Sequence, residues 1–176
     1  MALTAYLAGP DVFLPDARAH AARKCRICSQ AGFIGLAPLD DESAIPDWQK
    51  IFRADVAMME ASDIIIANLT PFRGASADAG TLVELGWFLG RNKPIYGYSN
   101  SAAPFDQRSR AQCAAIADPL AGLIHESFGL TDNLMIAGAV WQSGHPVFTP
   151  TDGQDRAFNA LDIFERCVRY AADQHR

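Results

Sequence analysis

Residues 63–69 have the sequence DIIIANL, a continuous apolar run with no alternation of polar and apolar positions. A run of this length and composition predicts a β-strand that is buried on both faces. Such strands belong to parallel sheets, in which helices cover both faces. The segment therefore predicts an α/β fold around a central parallel sheet.

Strand and helix patterns alternate along the rest of the chain. Further strands are predicted at residues 3–8, 33–36 and 94–98. Helices are predicted at residues 16–30, 47–61, 78–91, 131–141 and 155–172, with Thr131 or Asp132 near the start of the fourth. Residues 120–125 fit a strand or a helix equally well. Strand–helix alternation with short connections predicts one doubly wound domain, flavodoxin-like or Rossmann-like, over residues 1–176.

Composition and charge exclude several classes of protein. The chain has 176 residues, of which 49% are hydrophobic, and this fraction predicts an ordered core rather than a disordered chain. Its net charge of −5 argues against a nucleic-acid-binding protein, which needs a basic face. Basic residues on the first helix are expected to form a solvated face; they are Arg18, Arg23, Lys24 and Arg26. Because nucleic-acid binding is disfavoured, a small-molecule partner is expected. No apolar run reaches the roughly 18 residues of a membrane span.

Cysteine and glycine motifs predict neither a bound metal nor a cofactor. The four cysteines are too few and too scattered for a disulfide framework, which favours a reducing cytoplasm. Cys25 and Cys28 have C-x-x-C spacing but lie within a predicted helix and lack a second pair to complete a zinc site, so packing is expected. The sequence contains no P-loop, no G-x-G-x-x-G after its first strand and no G-x-S-x-G elbow.

Glu84 is the residue that departs furthest from its surroundings. On the predicted helix its neighbours three and four positions away are small or apolar, and none is basic: Gly80, Thr81, Trp87 and Phe88. A carboxylate in such a setting must be hydrogen-bonded or functional, because burying it unpaired is costly. The alternative is a partly exposed glutamate on an otherwise buried helix.

Three other polar residues point towards the same edge of the sheet. Asp55 lies on an apolar helical stripe that is expected to face the sheet, and it is either a functional group or a core aspartate. The other residues of the stripe are Trp48, Ile51, Phe52 and Met59. Asp78 suits a helix N-cap, and Tyr6 could direct its hydroxyl at a carboxylate while its ring packs. In doubly wound sheets, ligands bind beyond the carboxyl ends of the strands, which selects the loops at 9–13, 38–46 and 70–78. Several carboxylates around one crevice suit glycosidic chemistry, with Glu84 as the candidate nucleophile.

Four motifs in order along the chain carry a family resemblance. They are YLAGPDVF at 6–13, NLTPFRG at 68–74, DAGTLVELG at 78–86 and DNLM at 132–135. Together they resemble the nucleoside 2-deoxyribosyltransferases, over roughly residues 4–160. The resemblance implies transfer of a 2-deoxyribosyl group between nucleobases of 2′-deoxyribonucleosides. It implies a covalent intermediate, retained configuration, slow hydrolysis as a side reaction and no cofactor.

The resemblance also assigns site residues by motif. It implies that Glu84 is the nucleophile, that Asp78 serves the sugar and catalytic site, that Asp55 aids proton transfer to the base, and that Tyr6 holds the nucleophile. Substrate-binding positions are implied at Gly9, Phe13, Asp132 and Asn133. In relatives the asparagine is donated by a neighbouring subunit to the sugar 5′-hydroxyl, so a homo-oligomer is implied.

Two other functions remain open from the sequence. A 2′-deoxynucleoside 5′-monophosphate N-glycosidase would share the fold, and Arg73 and Ser76 are the only candidates in the nearby loop for its phosphate. A non-catalytic nucleoside-binding protein would have no need of Glu84 among apolar neighbours. The preferred base, purine alone or purine and pyrimidine, also stays open, because the base-recognising segment at 37–48 carries Asp40, Asp41 and Glu42.

Overall fold

The computed structural model describes residues 2–39, 47–118 and 122–176, and its centre is a sheet of five parallel strands in the order β2-β1-β3-β4-β5. The strands are β1 (Thr4–Ala8), β2 (Ile34–Leu36), β3 (Ile64–Asn68), β4 (Ile95–Tyr98) and β5 (Val147–Phe148). This is the flavodoxin-like order, and the direction of winding reverses between β1 and β3. The predicted α/β fold with a central parallel sheet is confirmed.

Helices cover both faces of the sheet. They are α1 (Ala17–Gln30), α2 (Trp48–Ala61), α3 (Ala79–Gly90), α4 (Phe105–Ile116), α5 (Leu134–Gln142) and α6 (Asp162–Gln174), with a short 3-10 helix at Pro10–Phe13. Buried side chains of α1 and α6 form the core on one face, and those of α2, α3 and α5 form the core on the other. Each of Ile64, Ile65 and Ile66 in β3 is at most 1% exposed, which explains why the strand is continuously apolar.

The last two helices begin later than the sequence pattern indicates. α6 begins at Asp162 rather than near Asp155, because Asn100 Nδ2 donates to the carbonyl oxygens of residues 157, 158 and 160 and holds that segment outside a helix. α5 begins at Leu134 with Asn133 as its N-cap, whereas Thr131 or Asp132 was expected near the start. The two-residue strand β5 has no counterpart in the prediction, and residues 122–125 form neither helix nor strand.

Two expectations about helix faces are wrong. Trp48 and Phe52 on the apolar stripe of α2 are 73% and 59% exposed, and Met59 is the one fully buried side chain described on that helix. Lys24 on α1 is 2% exposed and belongs to the interior rather than to a solvated face. The stripe of α2 is thus an exposed apolar surface, and buried Lys24 needs a countercharge.

Two features are absent from the residues that the structure describes. Within them, no helix is long and apolar enough to cross a membrane. No group of three or more His, Cys, Asp or Glu side chains in that part of the chain is arranged to hold a metal ion. The four cysteines are free thiols, and Cys28 and Cys167 are buried in the core. The loop residues Asp40, Asp41 and Glu42, singled out in the sequence, lie outside the described residues.

Candidate active site

A hydrogen bond between β1 and α3 forms the centre of the site. The Tyr6 hydroxyl donates to Glu84 Oε1 over 2.5 Å. Tyr6 is fully buried in the middle of β1, and its ring stacks on Phe88 one turn of α3 beyond Glu84, with ring centroids 6.0 Å apart. Burial and the adjacent Glu84 charge raise the pKa of Tyr6 well above its usual range. Tyr6 therefore keeps its proton and acts as a permanent donor to one carboxylate oxygen.

The ionisation of Glu84 is strongly perturbed. Burial raises the pKa of Glu84 to about 7, the negative charges of Asp55 and Asp78 add to this rise, and the Tyr6 hydrogen bond opposes it. Desolvation and like charge both disfavour a carboxylate, whereas a donor favours it. Strongly perturbed groups of this kind are concentrated at functional sites.

Asp55 approaches the same crevice from α2. That helix packs against β1, and Asp55 is partly buried on it. Its charge contributes to the raised pKa of both Tyr6 and Glu84, so the three groups lie within electrostatic reach of one another. The structure thus brings Tyr6, Asp55 and Glu84 together from three different elements.

Asp78 begins α3 and also faces this group. Its Oδ2 accepts from the Thr81 backbone N–H at 3.1 Å and from the Thr81 hydroxyl at 3.4 Å, as an N-cap does. Two turns later on the same helix stands Glu84, whose pKa responds to the Asp78 charge. A β-carbon at Gly80 would lie 3.0 Å from Asp78 Oδ2, so the glycine leaves the carboxylate uncovered on that side.

The loop after β1 presses against the loop after β3. Gly9 has φ of +153°, and a β-carbon there would lie 2.6 Å from Asn68 Cβ, so the position requires glycine. Phe13 is 58% exposed and stacks on Phe72, with ring centroids 5.5 Å apart and planes inclined by 12°. The guanidinium of Arg73 lies over both rings. These rings form an aromatic rim at the point where the strand order reverses.

The side chains of Asp132 and Asn133 form hydrogen bonds with the loop before α3 and with the start of α5, respectively. Asp132 is 1% exposed and accepts from the Ser76 hydroxyl at 2.6 Å and the Ala77 N–H at 2.9 Å. The structure therefore places Asp132 beneath the loop that leads to Asp78. Asn133 Oδ1 accepts from the Met135 N–H at 3.0 Å, and its amide also donates to Glu126.

Two sets of polar contacts near the site were not predicted from the sequence. Arg108 of α4 donates to the carbonyl oxygens of Ala75 and Thr131 and so binds the same loop as Asp132. Lys24 Nζ lies 2.9 Å from Asp11 Oδ2 beneath the loop after β1. A signal for the second set exists in the sequence, since His20, Lys24 and Cys28 recur every four residues on the buried side of α1.

The chain is similar to known proteins over most of its length. The family model for nucleoside 2-deoxyribosyltransferases matches residues 5–135. An uncharacterized protein of Schizosaccharomyces pombe is 31% identical, in a match that covers 79% of this chain and 77% of the yeast protein.

Solved structures extend the match to nearly the whole chain. A 2-desoxiribosyltransferase from Leishmania mexicana superposes with a TM-score of 0.70 at 29% identity, covering 99% of each chain. A 2-deoxyribosyltransferase from Bacillus psychrosaccharolyticus superposes with a TM-score of 0.50 at 20% identity, covering 89% of this chain and 88% of its own, and supports the fold alone.

Proposed function

We propose that this chain, which belongs to the nucleoside 2-deoxyribosyltransferase family, transfers a 2-deoxyribosyl group between the nucleobases of 2′-deoxyribonucleosides. The observation that carries the proposal is the Glu84 carboxyl, bound by the buried Tyr6 hydroxyl at 2.5 Å and surrounded by Asp55 and Asp78. The Tyr6 hydrogen bond fixes this carboxyl in place, and its pKa of about 7 means that it ionises near neutral pH. No cationic group is among the causes of its shifted pKa, so no cation of that kind competes for its oxygens.

In the first step Glu84 displaces the base from the sugar. Tyr6 holds Oε1, which leaves Oε2 to attack the anomeric carbon C1′ from the face opposite the base. The bond from C1′ to Oε2 forms as the glycosidic C1′–N bond breaks, and the bonding electrons pass to the base. Asp55 delivers a proton to the leaving base, as a general acid does in glycosidic cleavage.

In the second step an incoming base reverses the process. Its ring nitrogen attacks C1′, the C1′–Oε2 bond breaks, and Asp55 accepts the proton that the nitrogen loses. Two inversions at C1′ leave the configuration retained. Water can attack instead and release free 2-deoxyribose, which makes slow hydrolysis the side reaction.

One proton shared between Asp55 and Glu84 is the working state of the site. The first step needs Glu84 ionised and Asp55 protonated, so the pair must carry a single proton. Two interacting carboxyls lose their protons in two steps that belong to the pair. Burial and the Asp55 charge both raise the pKa of Glu84, to about 7, which agrees with a site that keeps a proton up to neutral pH.

We further propose that Gly9 and Phe13 line the base pocket and that Asn133 serves a neighbouring subunit. An amide carries two N–H bonds; Glu126 takes one, and the other can donate to a sugar 5′-hydroxyl. Exposed apolar side chains support a homo-oligomer, because large exposed apolar surfaces mark protein contacts. The most exposed of those on α2 and α5 are Trp48, Phe52, Met135 and Trp141, which are 59% to 75% exposed.

Phosphate binding, which a 5′-monophosphate N-glycosidase would need, has less support. Ser76 donates its hydroxyl to Asp132, and Arg73 stacks over Phe13 and Phe72. The Ser76 hydroxyl is therefore engaged by Asp132, whereas stacking uses only the faces of the Arg73 guanidinium and does not occupy its N–H donors. The carboxylate of Asp132 would repel a phosphate dianion close to it.

A single assay tests the proposed transfer. The protein is incubated with 2′-deoxyinosine and adenine, and the products are separated by chromatography, with Glu84→Gln as the inactive control. We expect 2′-deoxyadenosine and hypoxanthine. Absence of both products, or release of base from the 5′-monophosphate alone in a parallel reaction, would contradict the proposal.

A further inference from the structure

A buried ion pair beneath the loop after β1 has no role in the proposed chemistry. Lys24 is 2% exposed, and its Nζ lies 2.9 Å from Asp11 Oδ2. His20 is 1% exposed, and its Nε2 lies 3.1 Å from Asp11 Oδ1. Burial by itself would raise the pKa of Asp11, but Lys24, His20 and Asn68 hold it well below its usual range. A buried ion pair adds little stability compared with apolar packing, so its presence suggests a role in fixing geometry.

Asp11 joins two loops that meet where the strand order reverses. Asn68 Nδ2, at the end of β3, donates to both Asp11 oxygens at 3.2 and 3.3 Å. The other end of the same amide, Asn68 Oδ1, accepts from the Thr70 N–H at 3.1 Å. One carboxylate therefore connects α1, the loop after β1 and the loop after β3.

The two loops fit against each other without spare room. A β-carbon at Gly9 would lie 2.6 Å from Asn68 Cβ and 2.7 Å from Asp11 Oδ2. Phe13, two residues beyond Asp11, stacks on Phe72, four residues beyond Asn68. The polar contact of Asp11 with Asn68 and the aromatic contact of Phe13 with Phe72 thus fix the same pair of loops at two points.

We infer that Asp11 is a positioning residue that determines whether the glycosyl intermediate reacts with a base or with water. The inference rests on the proposed function, in which Phe13 lines the base pocket. A base attacks C1′ through a ring nitrogen and water attacks through its oxygen; in both cases the C1′–Oε2 bond breaks and the proton passes to Asp55. Asp11 holds the Phe13 ring where an acceptor base stacks, and this favours the base over water.

The ratio of hydrolysis to transfer measures this role directly. Both products arise from the same intermediate, so their ratio does not depend on how much of a variant is folded. The measurement follows 2-deoxyribose and 2′-deoxyadenosine formed from 2′-deoxyinosine at one fixed adenine concentration. Two variants are compared with the wild type: Asp11→Asn, and the double variant Asp11→Ala with Lys24→Met.

The double variant decides the question, because it removes the Asn68 acceptor together with both members of the Asp11–Lys24 charge pair. We expect its ratio of hydrolysis to transfer to rise about tenfold, as loss of one charge-assisted hydrogen bond at the loop implies. Asp16→Asn is the matched control: it removes an exposed carboxylate that pairs with Arg23 at the start of the same helix, and it should leave the ratio unchanged.

Two outcomes would overturn the inference and are distinguishable. A wild type that transfers, together with a double variant whose ratio is unchanged or lower, would overturn the role of Asp11 alone. A wild type that forms no 2′-deoxyadenosine would overturn the proposed function and this inference with it.

Discussion

Glu84 combines two properties that are rarely compatible, since it is a partly buried carboxyl in a desolvated setting and also the group that must ionise to react. Burial and the charges of Asp55 and Asp78 raise its pKa to about 7. The folded protein therefore favours protonated Glu84, whereas the unfolded chain releases this proton near the ordinary glutamate pKa of about 4.5. The stability that this difference provides is complete below about pH 4.5 and is lost as the pH rises to about 7.

Glu84→Gln should separate activity from stability. The amide keeps an acceptor for the Tyr6 hydroxyl but cannot attack C1′, so transfer should be abolished while the fold is retained. Only the wild type loses stability as Glu84 ionises. The free energy of unfolding of the variant, relative to that of the wild type, should therefore increase by up to about 3 kcal/mol between pH 4.5 and pH 8. Urea unfolding at the two pH values measures this, and a difference that does not change with pH would contradict the burial of a reactive carboxyl.

The pH dependence of transfer should reflect the shared proton. In the wild type, kcat/KM should fall as the pH rises above about 7, because the Asp55–Glu84 pair loses its last proton there. Asp55→Asn should lower kcat/KM by roughly 10²- to 10⁴-fold, the usual contribution of a general acid. Its remaining activity should increase with pH, since only ionised Glu84 is then required.

A substrate that needs no protonation provides the control for Asp55. The base of 7-methyl-2′-deoxyguanosine already carries a positive charge and leaves as a neutral molecule. Asp55→Asn should therefore lose far less activity with this nucleoside than with 2′-deoxyinosine. An equal loss with both substrates would contradict the proton-donating role.

At the scale of single elements, α3 shows how one residue serves both folding and chemistry. Asp78 caps the helix through the Thr81 N–H and raises the pKa of Glu84 on the same helix. Asp78→Asn retains a capping side chain without the charge, whereas Asp78→Ala loses both. Both variants should lose transfer activity, but only Asp78→Ala should lose stability, by about 1 kcal/mol. Thermal unfolding and the transfer assay together test this, and full activity in Asp78→Asn would restrict Asp78 to capping.

Elements whose signal is local were predictable from the sequence, and elements that depend on distant contacts were not. β3 is apolar because both of its faces are covered, and α3 begins at the capping aspartate that the sequence identified. The start of α6 depends on Asn100, about sixty residues earlier. Asp132 accepts from Ser76 and Ala77 as well as from the Asn133 N–H at the start of α5. Short-range pattern contains no information about such partners.

For the molecule as a whole, the reversal of strand order between β1 and β3 explains where the site lies. The loops predicted to form it include 9–13 and 70–78, and these meet at that point. The ion pair of Asp11 with Lys24 was not predicted, because a basic residue on an amphipathic helix is usually solvated, although Lys24 shares the four-residue spacing of His20 and Cys28 on the buried side of α1. Only the packing of α1 against the loop after β1 turns this lysine inward.

Assembly can be tested with two inactive variants. If Asn133 serves the neighbouring subunit, Glu84→Gln and Asn133→Ala should each be inactive alone. Subunits of the two variants that are dissociated and reassembled together should regain activity, because each mixed dimer contains one site with both Glu84 and Asn133. Asn133→Ser, which retains an N-cap, controls for loss of the start of α5. Mixed assemblies without activity would place Asn133 outside the neighbouring site.

The most direct measurement is the mass of the intact protein after rapid acid quenching with 2′-deoxyinosine and no acceptor base. A covalent mechanism predicts that part of the protein gains the mass of one deoxyribosyl group, and that peptide mapping places the group on Glu84. Adenine added before the quench should remove the adduct and form 2′-deoxyadenosine. Transfer without any adduct, or an adduct on another residue, would contradict Glu84 as the nucleophile.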